Sequence, residues 1–169
     1  ECPPQPAMSL HLALLTLLVL VVTAQAEIVR VQKCHMPAAR RSDCVVHEVR
    51  VNPCPEASEN RPCKIKLGAN YSLSFDYTPT FSASRAGSQA AKVSTLVDIP
   101  FEQLDADGCK YTTCPIEANK KQVYNYALEV GTQFPANIAP NSVHEAKLKL
   151  WNEDNHHQQC CFKIKFQAI

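Results

Sequence analysis

Residues 100–116 read PFEQLDADGCKYTTCPI, and this stretch decides the fold that the rest of the chain is expected to adopt. An apolar Pro100-Phe101 step is followed by an acidic loop and by Cys109 and Cys114, which have only four residues between them. A short loop closed by a disulfide and followed by proline suits the connection between two strands of a small secreted β protein. The stretch therefore predicts a disulfide-stapled β domain, with Phe101 as the candidate guard of an opening between two sheets.

The start of the chain is interpreted as an export signal. Residues 8–26 contain an apolar run from Leu12 to Val22 and end in the small-residue site Ala24-Gln25-Ala26, as secretory signal peptides do. The run is shorter than the roughly 20 residues that a membrane-spanning helix needs. Residues 1–7 precede the initiator expected at Met8 and are interpreted as translated upstream sequence. One secreted domain is therefore predicted over residues 27–169.

The charges argue against two classes of partner. The chain contains 17 Lys and Arg residues against 16 Asp and Glu residues, and the two signs are dispersed along it. Nucleic-acid binding needs a basic stripe, and an anchor on acidic membranes needs a basic cluster. Neither kind of partner is expected.

The cysteines that follow the predicted signal peptide are even in number. They imply disulfides, because an exported chain folds in an oxidising compartment. Zinc is the rival interpretation, but the spacings lack the paired C-x-x-C motifs of structural zinc sites. The number of cysteines leaves their pairing open. They are Cys34, Cys44, Cys54, Cys63, Cys109, Cys114, Cys160 and Cys161.

Alternating apolar and polar residues predict strands and no helix in this domain. The clearest strand is 71–77, where Tyr71, Leu73, Phe75 and Tyr77 face inward. The other predicted strands are 27–33; 44–51, with Val45, His47, Val49 and Val51 on one face; 92–99, with Val93, Val97 and Ile99 on one side; 123–130, with Tyr124, Tyr126, Leu128 and Val130 together; 144–151, with Ala146, Leu148 and Leu150 aligned; and 160–168, with Phe162, Ile164, Phe166 and Ala168 aligned.

Seven or eight strands of this kind predict an all-β fold, an immunoglobulin-like β-sandwich. Residues 78–89 are expected to form turns. The inward positions are rich in large apolar side chains. The two sheets either close over a dry core or stay parted around an apolar cavity, and the alternation alone does not separate these outcomes.

Four motifs, taken together, carry a resemblance to a known family. They are Val49-Arg50-Val51-Asn52-Pro53-Cys54-Pro55, Arg61-Pro62-Cys63, Asp107-Gly108-Cys109 with Cys114-Pro115-Ile116, and the last cysteine before an alternating apolar strand. In these features the chain resembles the Niemann-Pick type C2 family, the secreted lipid-binding proteins of the ML (lipid-recognition) domain class. The resemblance covers essentially all of residues 27–169, and the dust-mite group 2 allergens look like the same family.

The resemblance implies a pairing of the cysteines. The family pattern has three disulfides, which here would be Cys34–Cys161, Cys54–Cys63 and Cys109–Cys114. Cys44 and Cys160 depart from the pattern. They either form a fourth bridge, which is the prediction, or remain buried thiols.

The resemblance also implies a sterol or another apolar lipid held between the sheets, without cofactor, metal or catalytic group. Matched by position, Phe101, Val130 and Phe134 fall at the mouth of the pocket, with Pro135 following. The pocket is expected to differ in shape from that of vertebrate members, which have Trp at two of its positions. Those two positions are Leu148 and Phe162 here, and the other expected lipid contacts are Phe75, Val97 and Tyr126.

Motifs of other chemistry are incomplete. Residues 144–148 read HEAKL, which begins like a zinc-protease helix but has Leu where the second His must stand. His156-His157 is expected in a solvated turn, and neither metal chemistry nor an enzyme is predicted. Asn70-Tyr71-Ser72 is an N-glycosylation sequon, which predicts a modified Asn70.

Three functions are compared. The first is a monomeric lipid carrier, extracellular or in the lysosomal lumen, that hands a sterol, fatty acid or semiochemical to a membrane receptor or transporter. The second is an innate-immune module that binds microbial lipid and a receptor, which a basic rim would favour; the bases expected near the mouth are Lys110, Lys120 and Lys121. The third is a structural immunoglobulin-like domain with a filled core.

Overall fold

The computed structural model describes residues 27–34, 43–132 and 138–169. In these ranges the chain folds into ten β-strands and two short 3-10 helices, which span Pro55–Glu59 and Gly108–Lys110. The strands are β1 (Glu27–Ile28), β2 (Gln32–Lys33), β3 (Cys44–Asn52), β4 (Cys63–Ile65), β5 (Asn70–Pro79), β6 (Ala86–Lys92), β7 (Ile99–Pro100), β8 (Gln122–Glu129), β9 (Val143–Asn152) and β10 (Asn155–Ala168).

The strands form two sheets that pack face to face. The front sheet has the order β1-β3-β5-β8 and is antiparallel throughout. The back sheet has the order β2-β10-β9-β6-β7, and β4 pairs in parallel with β10. The predicted all-β sandwich of immunoglobulin-like type is confirmed. Its predicted first strand, 27–33, is divided between the two sheets as β1 and β2.

One end of the sandwich, which we call the closed end, has an aromatic core. Phe75 of the front sheet stacks on Tyr124 with ring centroids 4.7 Å apart, and Phe162 of the back sheet meets Phe75 edge-on at 4.9 Å. The Tyr124 hydroxyl shares a 2.8 Å hydrogen bond with Ser88 Oγ of β6, which joins the sheets. Burial raises the pKa of Tyr124, so this hydroxyl stays protonated.

β5 has the alternation that the sequence predicts. Tyr71 and Phe75 are buried and face the other sheet, whereas Asp76 faces outward. Asp76 is nevertheless only 7% exposed, because Arg50 Nη1 and Lys121 Nζ contact its carboxylate at 2.9 and 2.8 Å. The hydrogen bond from Arg50, aided by Lys121, holds the pKa of Asp76 well below its usual range.

The first half of β3 departs from the predicted alternation. Val49 is buried as expected, but Val45 is 55% exposed and His47 is also exposed. The pairing of β3 with β5 shifts register between Val46 and Glu48, and such an irregularity reverses which side chains face inward. The prediction that Val45 and His47 share one face of the strand with Val49 and Val51 is therefore wrong.

The predicted strand over 92–99 is wrong. Residues 93–98 form no strand, and Val97 is 74% exposed instead of facing inward. The strand lies earlier in the chain, as β6 (Ala86–Lys92), and its first residues fall in the region 78–89 predicted to form turns. Its sequence, AGSQAAK, lacks the β-branched and aromatic residues that signal a strand. Small residues are needed there because Gly87 lies directly against Trp151, with no room for a Cβ atom.

Four disulfides staple the described parts of the sandwich. Cys44–Cys160 joins β3 to β10 at the closed end. At the other end, Cys54, which follows β3, is bonded to Cys63, the first residue of β4. Both bonds therefore link the front sheet to the back sheet along the same long edge. The remaining pairs are Cys34–Cys161 and Cys109–Cys114, so the pairing is the one that the resemblance implies, with the fourth bridge present.

Candidate functional site

An apolar cavity of about 130 Å³ lies between the sheets at the end opposite the aromatic core, which we call the open end. Ile138 borders it from the segment before β9. The front sheet and the chain that continues it contribute Val51, Tyr71, Leu73, Leu128 and Val130. The back sheet and its extensions contribute Ile65, Phe101, Ala146, Ile164 and Phe166.

The cavity begins where the inward side chains of β5 and β9 become smaller. On β9 the inward residue after buried Leu148 toward the open end is Ala146, which pairs with Ile164 of β10. On β5 the ring of Phe75 gives way to Leu73, which pairs with Tyr126 of β8. The reduced side-chain volume leaves a gap that the aromatic core does not fill.

Phe101 and Val130 border the cavity at one edge of the sandwich, where β7 is the outermost strand of the back sheet and β8 is the outermost strand of the front sheet. The Phe101 amide donates to Ala90 O at 2.9 Å, and its ring meets Phe166 edge-on with centroids 6.4 Å apart. The Val130 amide donates to Ala69 O at 3.0 Å. Among the described residues, no disulfide joins the sheets along this edge, in contrast to the edge at β3. The seam between Phe101 and Val130 is therefore the candidate mouth.

The cavity offers a ligand almost no polar partner. The Tyr71 hydroxyl accepts from the Lys66 amide at 2.9 Å and donates to Lys64 O at 3.2 Å, so its hydrogen bonds are already made. Ser72 and Gln103 are exposed polar residues of the lining. Glu129 is its carboxylate residue and is exposed too. It lies between Leu128 and Val130, which both border the cavity, and strand alternation turns its carboxylate away. The site can therefore bury hydrocarbon and little else.

The structure brings together some of the expected lipid contacts and separates others. Phe101 and Val130 border the cavity, whereas exposed Val97 does not. Phe134 and Pro135 lie outside the described residues. Phe75, Tyr126, Leu148 and Phe162 do not border the cavity but belong to the closed-end core, because they lie deeper along the same strands.

The residues that sequence reasoning missed as cavity lining are neighbours of those it chose. For those in the predicted strands, the inward direction follows from the alternation, but nothing in the alternation distinguishes the packed end of a strand from the open end. Only the change to smaller side chains, as at Ala146, carries that signal. The missed residues are Val51, Ile65, Tyr71, Leu73, Leu128, Ile138, Ala146, Ile164 and Phe166, together with Ser72, Gln103, Glu129 and Gly131.

The lysines expected near the mouth lie at the other end of β8. They border a second, open groove of about 570 Å³, together with Gln122, which pairs with Tyr77 near the closed end. Each is engaged by a carboxylate: Lys110 by Asp105, Lys120 by Glu117 at 2.8 Å, and Lys121 by Asp76 at 2.8 Å.

Other chemistry finds little support in the described ranges. No group of three or more His, Cys, Asp or Glu side chains there is placed to hold a metal ion. His144 lies on β9 and bonds through Nε2 to Ala139 O at 2.9 Å. None of the helices in these ranges has the length and apolar character to cross a membrane.

Comparison with known proteins gives a consistent result. A family model described as the ML domain matches residues 29–168. The chain is 39% identical to the MD-2-related lipid-recognition protein of Manduca sexta over 129 residues, which make up 74% of this chain and 76% of that protein. It is 32% identical over 93 residues to NPC intracellular cholesterol transporter 2 of Canis lupus familiaris, covering 54% and 60% of the two chains.

A solved structure shares the fold. The Niemann-Pick type C2 protein from Japanese carpenter ant matches with a TM-score of 0.65 at 17% identity, over 83% of this chain and 99% of that one. The family match spans every described strand except β1 and so includes both walls of the cavity. A stapled sandwich with an apolar space between its sheets is what this match leads one to expect, and the chain belongs to the ML-domain family of lipid-recognition proteins.

Proposed function

We propose that this protein is a secreted, non-enzymatic carrier that holds a sterol or a similar apolar lipid, such as a fatty acid or semiochemical, between its two sheets. The observation that carries the proposal is the cavity at the open end, whose walls are mainly apolar and whose tyrosine hydroxyl is already hydrogen-bonded. Burial of apolar surface is then the driving force for capture.

The size of the cavity requires the sheets to part when lipid enters. Ligand pockets commonly measure about 300–1,000 Å³, whereas this cavity measures about 130 Å³. The edge at β3 is held by Cys44–Cys160 and Cys54–Cys63, so separation is easiest at the edge of β7 and β8. Phe101 and Val130 stand at that edge, and lipid is expected to pass between them.

The expected affinity suits a carrier. A sterol of roughly 28 heavy atoms that gains about 0.3 kcal/mol per atom binds with about 8 kcal/mol, which is near micromolar. The free energy needed to part the sheets lowers the affinity below this value. Such a complex is stable enough to carry lipid and labile enough to release it to a membrane transporter or receptor.

The disulfides support a route through an oxidising compartment, with an extracellular or lysosomal destination. No chemical group is needed for carriage, because the ligand leaves unchanged. The relative named NPC intracellular cholesterol transporter 2 favours a sterol as the first ligand to test.

A second candidate is an innate-immune module that binds microbial lipid and docks on a receptor. It is favoured by the 39% identity to an MD-2-related lipid-recognition protein. An anionic microbial lipid would need cations at the mouth, and Lys110, Lys120 and Lys121 are paired and remote from it. We therefore rank this function second.

The test is native mass spectrometry of the protein secreted from cultured cells, followed by solvent extraction and identification of the released compound. The carrier proposal expects a discrete added mass of a sterol or other apolar lipid. An anionic microbial glycolipid retained in preference to sterol would favour the second candidate. A bare mass that stays bare after incubation with cholesterol and oleic acid would overturn both and leave a domain with a filled core.

A further inference from the structure

We propose that Asn70 carries an N-linked glycan, and that this glycan borders the mouth of the cavity on the side of the front sheet. The acceptor sequence is Asn70-Tyr71-Ser72. The first half of the proposal does not depend on lipid binding. The second half rests on the proposed function, because it assigns the glycan a place beside the lipid's path.

The acceptor is presented at the surface. Asn70 is the first residue of β5, just after a turn in which Gly68 has a φ of 69°. It is exposed, as is Ser72, whereas Tyr71 between them is 8% exposed and faces the cavity. Alternation along the strand therefore points the Asn70 amide outward from the front sheet.

The compartment and the chemistry agree. Disulfides form in the same oxidising secretory environment in which Asn-X-Ser/Thr acceptors are glycosylated. The step forms a bond between Asn70 Nδ2 and the anomeric carbon of a sugar. It breaks the bond between that carbon and the diphosphate of a lipid-linked donor, and it releases one amide proton. Asn70 needs only to be accessible to the transferring enzyme.

The neighbouring strand provides a natural control. β8 contains Asn125-Tyr126-Ala127, in which Asn125 and Ala127 are exposed and Tyr126 is buried. The two segments therefore have the same strand geometry and the same central tyrosine. Only the hydroxyl-bearing third residue is missing from the β8 segment, so it is not an acceptor.

The position of Asn70 places the sugar beside the mouth. Asn70 pairs with Glu129 across β5 and β8, and the next residue, Val130, borders the cavity. The amide of Val130 donates to Ala69 O, so the two chain segments stay together at the rim. A bulky, hydrated glycan at this point obstructs approach across the front sheet. A lipid-bearing surface then reaches the mouth from the side of Phe101.

Intact mass tests the modification. The full chain is secreted from mammalian cells as wild type, Asn70→Gln and Asn125→Gln, and each is weighed before and after treatment with peptide:N-glycosidase F. Wild type and Asn125→Gln are expected to lose a heterogeneous glycan mass, and Asn70→Gln to show only the chain with its disulfides. A wild-type mass equal to the bare chain, unchanged by the enzyme, overturns the proposal.

Moving the glycan tests its place. Asn70→Gln combined with Ala127→Thr transfers the acceptor to Asn125, which pairs with Ser74 and lies about 14 Å further from the mouth. Uptake of dehydroergosterol from phosphatidylcholine vesicles is timed with and without the glycan. Removal is expected to speed uptake at least twofold for the glycan on Asn70 and to leave the relocated form unchanged. Equal effects overturn the placement, whereas absence of uptake in every form, glycan-free chains included, counts against the carrier function and leaves the mass result intact.

Discussion

The hydroxyl of Tyr124 and the Oγ atom of Ser88 lie 2.8 Å apart, in a hydrogen bond that joins the two sheets at the closed end. Ser88 is 2% exposed, so removal of its partner leaves a poorly satisfied hydroxyl in the core. Tyr124→Phe is therefore expected to lower the free energy of unfolding by about 1–2 kcal/mol in urea denaturation. Tyr126→Phe is the matched control and should cost less, because the hydrogen bond to Ser88 is made by Tyr124 and not by Tyr126. An equal loss of free energy of unfolding in the two variants would show that the hydrogen bond to Ser88 adds no stability of its own.

Filling the cavity should weaken lipid binding without unfolding the protein. Ala146→Phe places a ring in the space between the sheets at the open end, where Ala146 borders the cavity. We expect at least tenfold weaker binding of dehydroergosterol in a fluorescence titration. Ala127→Phe, at an exposed position on β8, is the control and should bind as wild type does. Wild-type binding by the Ala146 variant would show that the lipid sits elsewhere.

The mouth can be tested from both of its sides. Phe101→Ala removes an apolar contact worth about 1–2 kcal/mol, which corresponds to a five- to thirtyfold rise in Kd for the same sterol. Val130→Phe narrows the seam and should slow uptake in a stopped-flow experiment. Ile99→Ala is the control, because Ile99 belongs to β7 and is 40% exposed but does not border the cavity. If both mouth variants bind and load like wild type, the lipid uses another route.

The two long-range disulfides should act non-additively. Cys44–Cys160 alone closes a sequence separation of 116, but Cys34–Cys161 already brings the same chain ends together. With either bond present, the other closes only a short additional loop. Removing either bond by paired Cys→Ala substitution should therefore lower the free energy of unfolding by about 3 kcal/mol. Removing both should lower it by about 2 kcal/mol more than the sum of the two single losses. Strictly additive losses in denaturant titrations would show that the unfolded chain does not set the effect.

Acid should weaken the fold through Asp76. Its folded pKa is depressed by hydrogen bonds from Arg50 and Lys121, so its contribution is complete above the ordinary carboxyl pKa and is lost as the pH falls toward the folded value. Asp76→Asn is expected to lower the free energy of unfolding by about 1–2 kcal/mol at pH 7, and the difference from wild type should shrink between pH 4 and pH 2. Asp154→Asn removes an exposed pair with Arg85 and should change little. A difference for Asp76→Asn that is constant with pH would contradict the mechanism.

Much of the fold could be predicted because its long strands alternate cleanly. Tyr71, Phe75, Tyr124, Leu148 and Phe162 all face inward as the two-residue period requires. The strands that the sequence hid are those in which small residues pack. β6 owes its place to the fit of Gly87 against Trp151, a tertiary contact with no local signature.

The apolar nature of the site and two residues at its opening could be predicted, but the position of the cavity along the strands could not. Family resemblance placed Phe101 and Val130 at an opening, and both border the cavity. Phe75 and Tyr126 belong to the packed core, because the boundary between core and cavity depends on how side chains from two sheets meet. Periodicity within one strand contains no information about the volume supplied by the opposite sheet.

The two hydrogen bonds of Tyr71 have a consequence for selectivity. Because its hydroxyl is committed to Lys64 O and the Lys66 amide, Tyr71 has no free hydrogen bond to offer a ligand atom between the sheets. The other polar side chains of the described lining, Ser72, Gln103 and Glu129, are exposed. Discrimination then depends on fit, and one methylene more or less changes affinity by only about 10- to 200-fold. Under the proposed function, this interior is therefore expected to select lipids by size and shape rather than by one polar group.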